Sequence, residues 1–133
     1  MISWTTQYSV NIREIDEQHN TIVAVTNELS EFIDKGGERE VIGTIIRKLI
    51  SIAAYHFATE EKYFALFKYE EAEQHIKIHR AMSARLEDFR RDFFDNGKNV
   101  TAELANFTMV WLTDHVLHQD KKYVKCFTEH GLK

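Results

Sequence analysis

Two pairs of residues in this sequence have the chemistry and the spacing of metal ligands. His56 and Glu60 are four residues apart, as are His75 and His79, and side chains four residues apart lie one above the other on a helix. Imidazole binds iron, copper, nickel and zinc, so the pairs predict a transition-metal site without naming its metal. The sequence has 7 histidines among 133 residues, which supplies further candidates.

Other candidates lie at the level of these pairs if the chain turns at its two glycine breaks, Gly36-Gly37 and 95–97. Counted from the nearer break, seven groups are about 17 to 24 residues away. At ~1.5 Å per residue, they occupy a slab of roughly 10 Å. These groups are His19, His56, Glu60, His75, His79, His115 and Asp120.

The number of imidazoles in this slab favours two metal ions over one. Five imidazoles exceed the four ligands that a structural zinc ion takes. The two carboxylates are able to bridge a metal pair and to offset part of its charge. The alternative is a histidine-rich helical core without metal, which would bury the imidazoles without partners at a cost in free energy.

The elements that must position these groups are helices. Between the breaks, apolar residues recur every three to four positions, and the sequence contains no proline, as is typical of uninterrupted helices. Asp16 is the expected N-cap of the first helix. We predict one all-α domain over 1–133, an antiparallel up-down-up-down four-helix bundle. A non-helical N-terminal arm over 1–14, with Trp4 and Tyr8, precedes helices over roughly 15–35, 39–67, 70–94 and 101–129.

Composition excludes several classes of protein. The net charge is −4 and the basic residues form no cluster, so nucleic acid is not an expected partner. The single cysteine, Cys126, excludes a disulfide within the chain; we expect it in or beside the core, and its role stays open. We find no leader peptide and no segment near the ~20 apolar residues that span a bilayer. These features predict a cytoplasmic protein without membrane insertion.

Four motifs together resemble the hemerythrin family, and above all its single-domain bacterial members. The motifs follow one another along nearly the whole chain. They are Ile15-Asp16-Glu17-Gln18-His19, His56-Phe57-x-x-Glu60-Glu61, His75-x-x-x-His79 and Trp111-Leu112-x-x-His115-Val116-x-x-x-Asp120-Lys121-x-Tyr123. The arm with Trp4 and Tyr8 is also similar to the N-terminal segment of that family.

The resemblance implies a non-haem di-iron site with an oxo or hydroxo bridge and O2 as its ligand. One iron, coordinatively full, would be held by His75, His79 and His115. The other would be held by His19 and His56 and keep an open position. The two carboxylates of the set, Glu60 and Asp120, would bridge both ions.

The activity that the resemblance implies is reversible O2 binding, for carriage, storage or local supply to an oxygen-using enzyme. Two alternatives are an O2 or redox sensor that acts through a signalling partner, and a di-iron enzyme that handles peroxide or nitric oxide. No further acid–base constellation favours an enzyme, so we predict none, and we expect a monomer. Iron storage is not favoured, because two ions fill the seven ligands.

The assignment of Asp120 conflicts with ideal helix geometry. Asp120 follows His115 by five residues, which is about 140° around an α-helix. Spacing alone prefers His118, whereas the resemblance selects Asp120. A local π-helical widening would reconcile the two and leave His118 beside the site or on the helix surface.

An apolar pocket for O2 is expected from position alone. Its expected lining is Ile22, Phe57, Trp111, Leu112 and Val116, although each residue is equally well explained by core packing. Three further carboxylates lie near predicted ligands in the sequence. Asp16, Glu61 and Glu71 are explained by helix capping or surface exposure.

Overall fold

The computed structural model describes residues 3–35 and 38–133, and all regular structure within these ranges is helical. The long helices are α1 (Arg13–Lys35), α2 (Arg39–Phe67) and α3 (Ala72–Phe94). The last rod consists of α4 (Thr101–Val110), a π-helix (Trp111–Gln119), a 3-10 turn (Asp120–Tyr123) and α5 (Val124–Glu129). The predicted all-α four-helix bundle is confirmed, with α1 against α2 and α4, and α2 against α3.

The rod predicted as one helix over 101–129 is therefore not uniform. Its middle is π-helical, as the position of Asp120 required. The helix predicted from residue 70 begins at Ala72. The predicted break at Gly36-Gly37 lies outside the described residues.

The described turns have clear backbone causes. Lys68 adopts a left-handed conformation (φ 52°) that ends α2, and the amide of Tyr69 donates to the carbonyl of Phe64. Gly97 has φ +66°, a conformation that glycine adopts without a steric penalty. Lys68 lies between the helices predicted over 39–67 and 70–94, and Gly97 lies in the predicted break at 95–97.

The N-terminal arm differs from the expected non-helical segment. Thr6–Tyr8 form one 3-10 turn, and α1 begins at Arg13, two residues earlier than predicted. Asp16 consequently lies inside the first turn of α1 and is not its N-cap. Its carboxylate accepts hydrogen bonds from Ser9 Oγ (2.6 Å) and from the backbone N–H of Val10 (2.9 Å). This carboxylate therefore fastens the arm to the bundle.

The prediction that no segment approaches the length of a membrane span is wrong for helix α2. By length and composition alone, Arg39–Phe67 is apolar enough to cross a bilayer. A core helix of a bundle meets the same test, and α2 buries residues along the bundle interior, among them His56 and Glu60. Its apolar character is accounted for by packing against α1 and α3.

The apolar core forms two clusters on either side of a polar layer. The larger cluster includes Ile22, Phe57 and Trp111, and the smaller includes Phe64 and Tyr123. Histidine rings contact both of them: His19 lies 5.6 Å from Trp111, and His75 lies 4.9 Å from Phe64, between ring centroids. The predicted ligand layer is thus enclosed by apolar side chains.

Candidate metal centre

The seven predicted ligands converge in one buried cluster. Each is at most 5% exposed, and the four rods of the bundle all contribute. Their ligand atoms form two groups, in each of which all atoms lie within 4.8 Å of one another. The groups are Glu60, His75, His79 and His115, and His19, His56, Glu60 and Asp120.

The two carboxylates lie between the groups. Asp120 directs Oδ1 to the Nε2 atoms of His75 (3.1 Å) and His115 (2.9 Å), and Oδ2 to that of His19 (3.2 Å). Glu60 Oε1 lies 3.1 Å from Nε2 of His56 and 3.2 Å from Nε2 of His79. Each carboxylate therefore faces imidazoles of both groups, which is the disposition of a bridge between two ions.

The distances between nitrogen atoms fit neighbouring ligands of a metal ion. The Nε2 atoms of His19 and His56 are 2.9 Å apart, and those of His75 and His115 are 3.1 Å apart. Two nitrogens at ~2.1 Å from one ion and at right angles to each other are separated by about 3.0 Å. The imidazole pairs thus have the spacing that a shared ion requires.

Orphaned polar atoms point to the same conclusion. Among the residues that the structure describes, neither oxygen of Glu60 nor of Asp120 has a hydrogen-bond partner, and neither has Nε2 of His79. All are buried, and unpaired buried polar groups are rare. Their imidazole neighbours lie 2.9–3.2 Å away but are not in hydrogen-bonding geometry. A cation at the point of convergence would satisfy them.

The tautomer of His56 is set from outside the cluster. Thr59 Oγ1 donates to the carbonyl of Tyr55 (3.0 Å) and accepts from Gln18 Nε2 (3.0 Å). Gln18 therefore presents its amide oxygen to His56 Nδ1, 2.7 Å away. The Nδ1 proton donates to this oxygen, which leaves the Nε2 lone pair free for a metal.

A carboxylate has the same role for His79. Its Nδ1 lies 2.9 Å from Glu61 Oε2, and an ionised carboxylate only accepts hydrogen bonds. The sequence pattern explains Glu61 by capping or surface exposure and assigns no role to Gln18, so neither contact is predicted. Both residues adjoin a predicted ligand in the sequence, His19 for Gln18 and Glu60 for Glu61, and this adjacency was the available signal.

The electrostatics of the cluster call for positive charge. Burial and the neighbouring Asp120 raise the pKa of Glu60, but His56 and His79 outweigh both and hold that pKa well below its usual range. Burial likewise raises the pKa of Asp120, and His115, His19 and His75 lower it further than burial raises it. Burial lowers the pKa of His79, yet Glu60 and Glu61 bring about a net rise. Both carboxylates are therefore anionic, and a metal pair would balance them.

The π-helix decides between Asp120 and His118. Hydrogen bonds from residue i to i+5 widen the turn, so Asp120 lies beneath His115 and joins the buried cluster. His118 is exposed on the helix surface. His118, which spacing alone prefers, is not one of the clustered groups, and its exposure agrees with the expected alternative of a place on the helix surface.

A small apolar cavity of about 20 Å³ adjoins the cluster. Three of the five predicted pocket residues, Ile22, Phe57 and Trp111, line it. The other two, Leu112 and Val116, are fully buried in the same core cluster but do not line this cavity. The remaining lining residues are Leu49, Ala53, Met82, Leu86, Phe107 and Thr108. The cavity adjoins the cluster through Phe57 and Trp111, whose rings also pack against His79 and His19.

Other residues singled out in the sequence lie outside the cluster. Cys126 is half-buried against the smaller core cluster, as expected. Glu71 is exposed and accepts a hydrogen bond from the Tyr69 hydroxyl (3.2 Å).

Tyr123 adjoins the cluster, although the sequence pattern assigns it no role. Its ring is fully buried and lies 5.8 Å from that of His75, between centroids. Burial, with Glu60 and Asp120, raises the pKa of its hydroxyl well above the usual value.

Comparison with known proteins agrees with this geometry. The sequence model of the hemerythrin HHE cation binding domain matches residues 10–127. The bacteriohemerythrin of Pseudomonas aeruginosa (strain LESB58) is 31% identical over 121 residues, which cover 91% of this chain and 78% of that protein. The bacteriohemerythrin of Clostridium acetobutylicum is 26% identical over 132 residues, covering 93% and 99%.

Solved structures show the same architecture. A crystal structure of wild-type hemerythrin superposes with a TM-score of 0.89 at 27% identity, covering 95% of this chain and 97% of the other. The resemblance stated from the four sequence motifs is thereby confirmed, and the chain belongs to the hemerythrin family.

Proposed function

We propose that this chain binds O2 reversibly at a pair of iron ions held in the buried cluster. In this proposal His75, His79 and His115 hold one ion, and His19 and His56 hold the other. Glu60 and Asp120 bridge the two, with an oxo or hydroxo group as a third bridge. The iron pair, when bound, supplies the two electrons that O2 takes up and returns.

The observation that carries the proposal is the position of the two carboxylates between two sets of imidazoles. A single metal ion would not explain why both carboxylates face imidazoles of both ligand groups. The neutral imidazoles outnumber the carboxylates five to two among the ligand atoms. Anionic oxygen ligands favour high oxidation states of iron, so a set rich in neutral imidazoles favours return to the ferrous state.

The protein around the cluster favours binding over turnover. Gln18 and Glu61 hold two imidazoles in the tautomer that coordinates. The ring of Trp111 lies 5.6 Å from His19 and 6.1 Å from His56, between centroids, and covers the two-histidine position with an apolar surface. The adjoining apolar cavity, of about 20 Å³, has the volume of about one water-sized molecule. Its lining suits O2 better than water.

The decisive experiment is anaerobic reconstitution with Fe²⁺ followed by titration with O2. We expect two irons per chain and a visible absorption band that appears with O2 and disappears when O2 is removed. Irreversible oxidation after one addition of O2, or consumption of added peroxide or nitric oxide over many cycles, would instead identify an enzyme. Uptake of a single iron would contradict the proposal.

The biological setting is a further part of the proposal. We infer carriage, storage or local supply of O2 by a cytoplasmic monomer, with an oxygen-using enzyme as the recipient. The alternative is a sensor that acts through a signalling partner, and co-purification from cells grown with and without O2 tests for one. Size-exclusion chromatography with light scattering tests the monomer.

A further inference from the structure

We propose that Gln18 and Glu61 make the two metal positions electronically unequal, with the stronger donor set at the three-histidine position. This inference rests on the proposed di-iron function. Each residue contacts the outer nitrogen of one histidine, and the two histidines belong to different metal positions. One partner is a neutral amide and the other is a carboxylate.

At the two-histidine position, the partner is neutral and fixed. The chain of hydrogen bonds from Gln18 Nε2 to Thr59 Oγ1, and from Thr59 Oγ1 to the carbonyl of Tyr55, prevents the amide from turning over. The amide oxygen accepts the His56 Nδ1 proton at 2.7 Å. An amide oxygen carries no net charge, so Gln18 adds no negative charge at the outer nitrogen of His56.

At the three-histidine position, the partner is anionic. Glu61 Oε2 accepts the proton of His79 Nδ1 at 2.9 Å, and the Glu61 side chain is 35% exposed. Phe57 stacks on the His79 ring, with 4.3 Å between centroids and 18° between planes, and holds its orientation. A carboxylate at the outer nitrogen raises the basicity of the ligating nitrogen. His79 is therefore the stronger donor of the two.

The consequence is that the two ions differ in which oxidation state their ligands stabilise. The three-histidine position stabilises the ferric state more strongly, because its donor set carries imidazolate character. The two-histidine position, which binds O2 in the proposed function, retains its ferrous state more readily. With Glu61 at His79 and Gln18 at His56, we expect the diferrous protein to oxidise slowly in air.

Two isosteric exchanges test the inference on the full chain. Glu61→Gln removes the negative charge next to His79, and Gln18→Glu introduces one next to His56. Glu17→Gln and Asn20→Asp are the charge-matched controls. Both residues are exposed on α1 near Gln18, and the two exchanges change the net charge by the same amounts as Glu61→Gln and Gln18→Glu. The double exchange Gln18→Glu with Glu61→Gln reverses the arrangement.

The readouts are the Mössbauer spectrum of the diferrous protein loaded with ⁵⁷Fe, its reduction potential and the metal affinity. We expect Glu61→Gln to shift one ferrous doublet and to raise the potential, and Gln18→Glu to shift the other doublet and to lower it. Each exchange is expected to change the affinity of its own position by about 10- to 100-fold. The double variant should lose its ferrous state in air faster than the wild type.

The two failures can be distinguished. If the wild type takes up two irons and binds O2 reversibly while both exchanges behave as their controls, the inference is overturned and the proposed function stands. The same holds if both exchanges shift one common doublet. If the wild type itself does not take up two irons, the proposed function fails, and this inference fails with it.

Discussion

Nε2 of His115 lies 2.9 Å from Oδ1 of Asp120, although the two residues are five positions apart in the chain. On a regular α-helix they would point about 140° apart. The π-helix over Trp111–Gln119 removes this difference, because its i to i+5 bonds place Asp120 one turn below His115. A local widening of one helix thus brings the second carboxylate into the cluster.

Replacement of this carboxylate tests its role directly. Asp120→Ala removes the group that faces His19, His75 and His115, so we expect loss of the second iron and of the O2-dependent absorption. Iron content by atomic absorption and the visible spectrum are the measurements. Asp114→Ala removes an exposed carboxylate from the same π-helix and should leave both unchanged. Loss of iron from His118→Ala, with Asp120→Ala unaffected, would contradict the assignment.

Metal loading should raise the stability of the fold. The ligands come from all four rods, so an ion bound among them binds only the folded chain. Fe²⁺ at 100 times its Kd should add about 2.7 kcal/mol to the free energy of unfolding for each site. Thermal unfolding under anaerobic conditions, with and without a chelator, measures this. The gain should shrink in His75→Ala, and an equal gain there would argue against binding in this cluster.

The N-terminal arm should depend on one carboxylate. Asp16→Ala removes two hydrogen bonds to Ser9 and Val10, and we expect a loss of about 2 kcal/mol in the free energy of unfolding. Trp4 lies 6.1 Å from His19, between ring centroids, so its fluorescence should shift as the arm detaches. Ser9→Ala removes only one of the bonds and should cost less. Equal stability of Asp16→Ala and the wild type would show that the arm is held by packing alone.

The apolar cavity should govern how fast O2 reaches the iron pair. Ala53→Val fills part of the space of about 20 Å³ without touching a ligand, so we expect two irons per chain and slower O2 association. Crowding should also cost about 1–3 kcal/mol of stability. Stopped-flow mixing with O2 gives the rate. Ala54→Val, at an exposed neighbouring position, is the control, and equal rates in both variants would rule out this route.

Periodicity in the sequence was sufficient to predict the fold and six of the seven converging residues. A helical period predicts which face is buried, and counting from turns predicts which buried groups share a level. Asp120 needed the family resemblance, since a π-helix departs from the period on which the counting depends. Periodicity alone selected His118, which is exposed.

Residues that act through a ligand were beyond sequence reasoning. Gln18 and Glu61 lie at the edge of the buried face, where pattern does not distinguish a solvated side chain from one that holds an imidazole. Asp16 has the residue type of an N-cap, but the arm folds back and uses it three residues into α1. Leu112 and Val116 match the expected pocket by position, yet cavity shape depends on the side chains of three other rods.

The buried carboxylates of Glu60 and Asp120 affect how long the protein lasts in the cell before iron is bound. Without iron, the buried oxygens of Glu60 and Asp120 have no partner in hydrogen-bonding geometry among the described residues, and each such group costs about 1–3 kcal/mol. Newly synthesised chains without bound iron should therefore unfold more often and be degraded faster by proteases. Iron supply would then set how much of this protein a cell keeps.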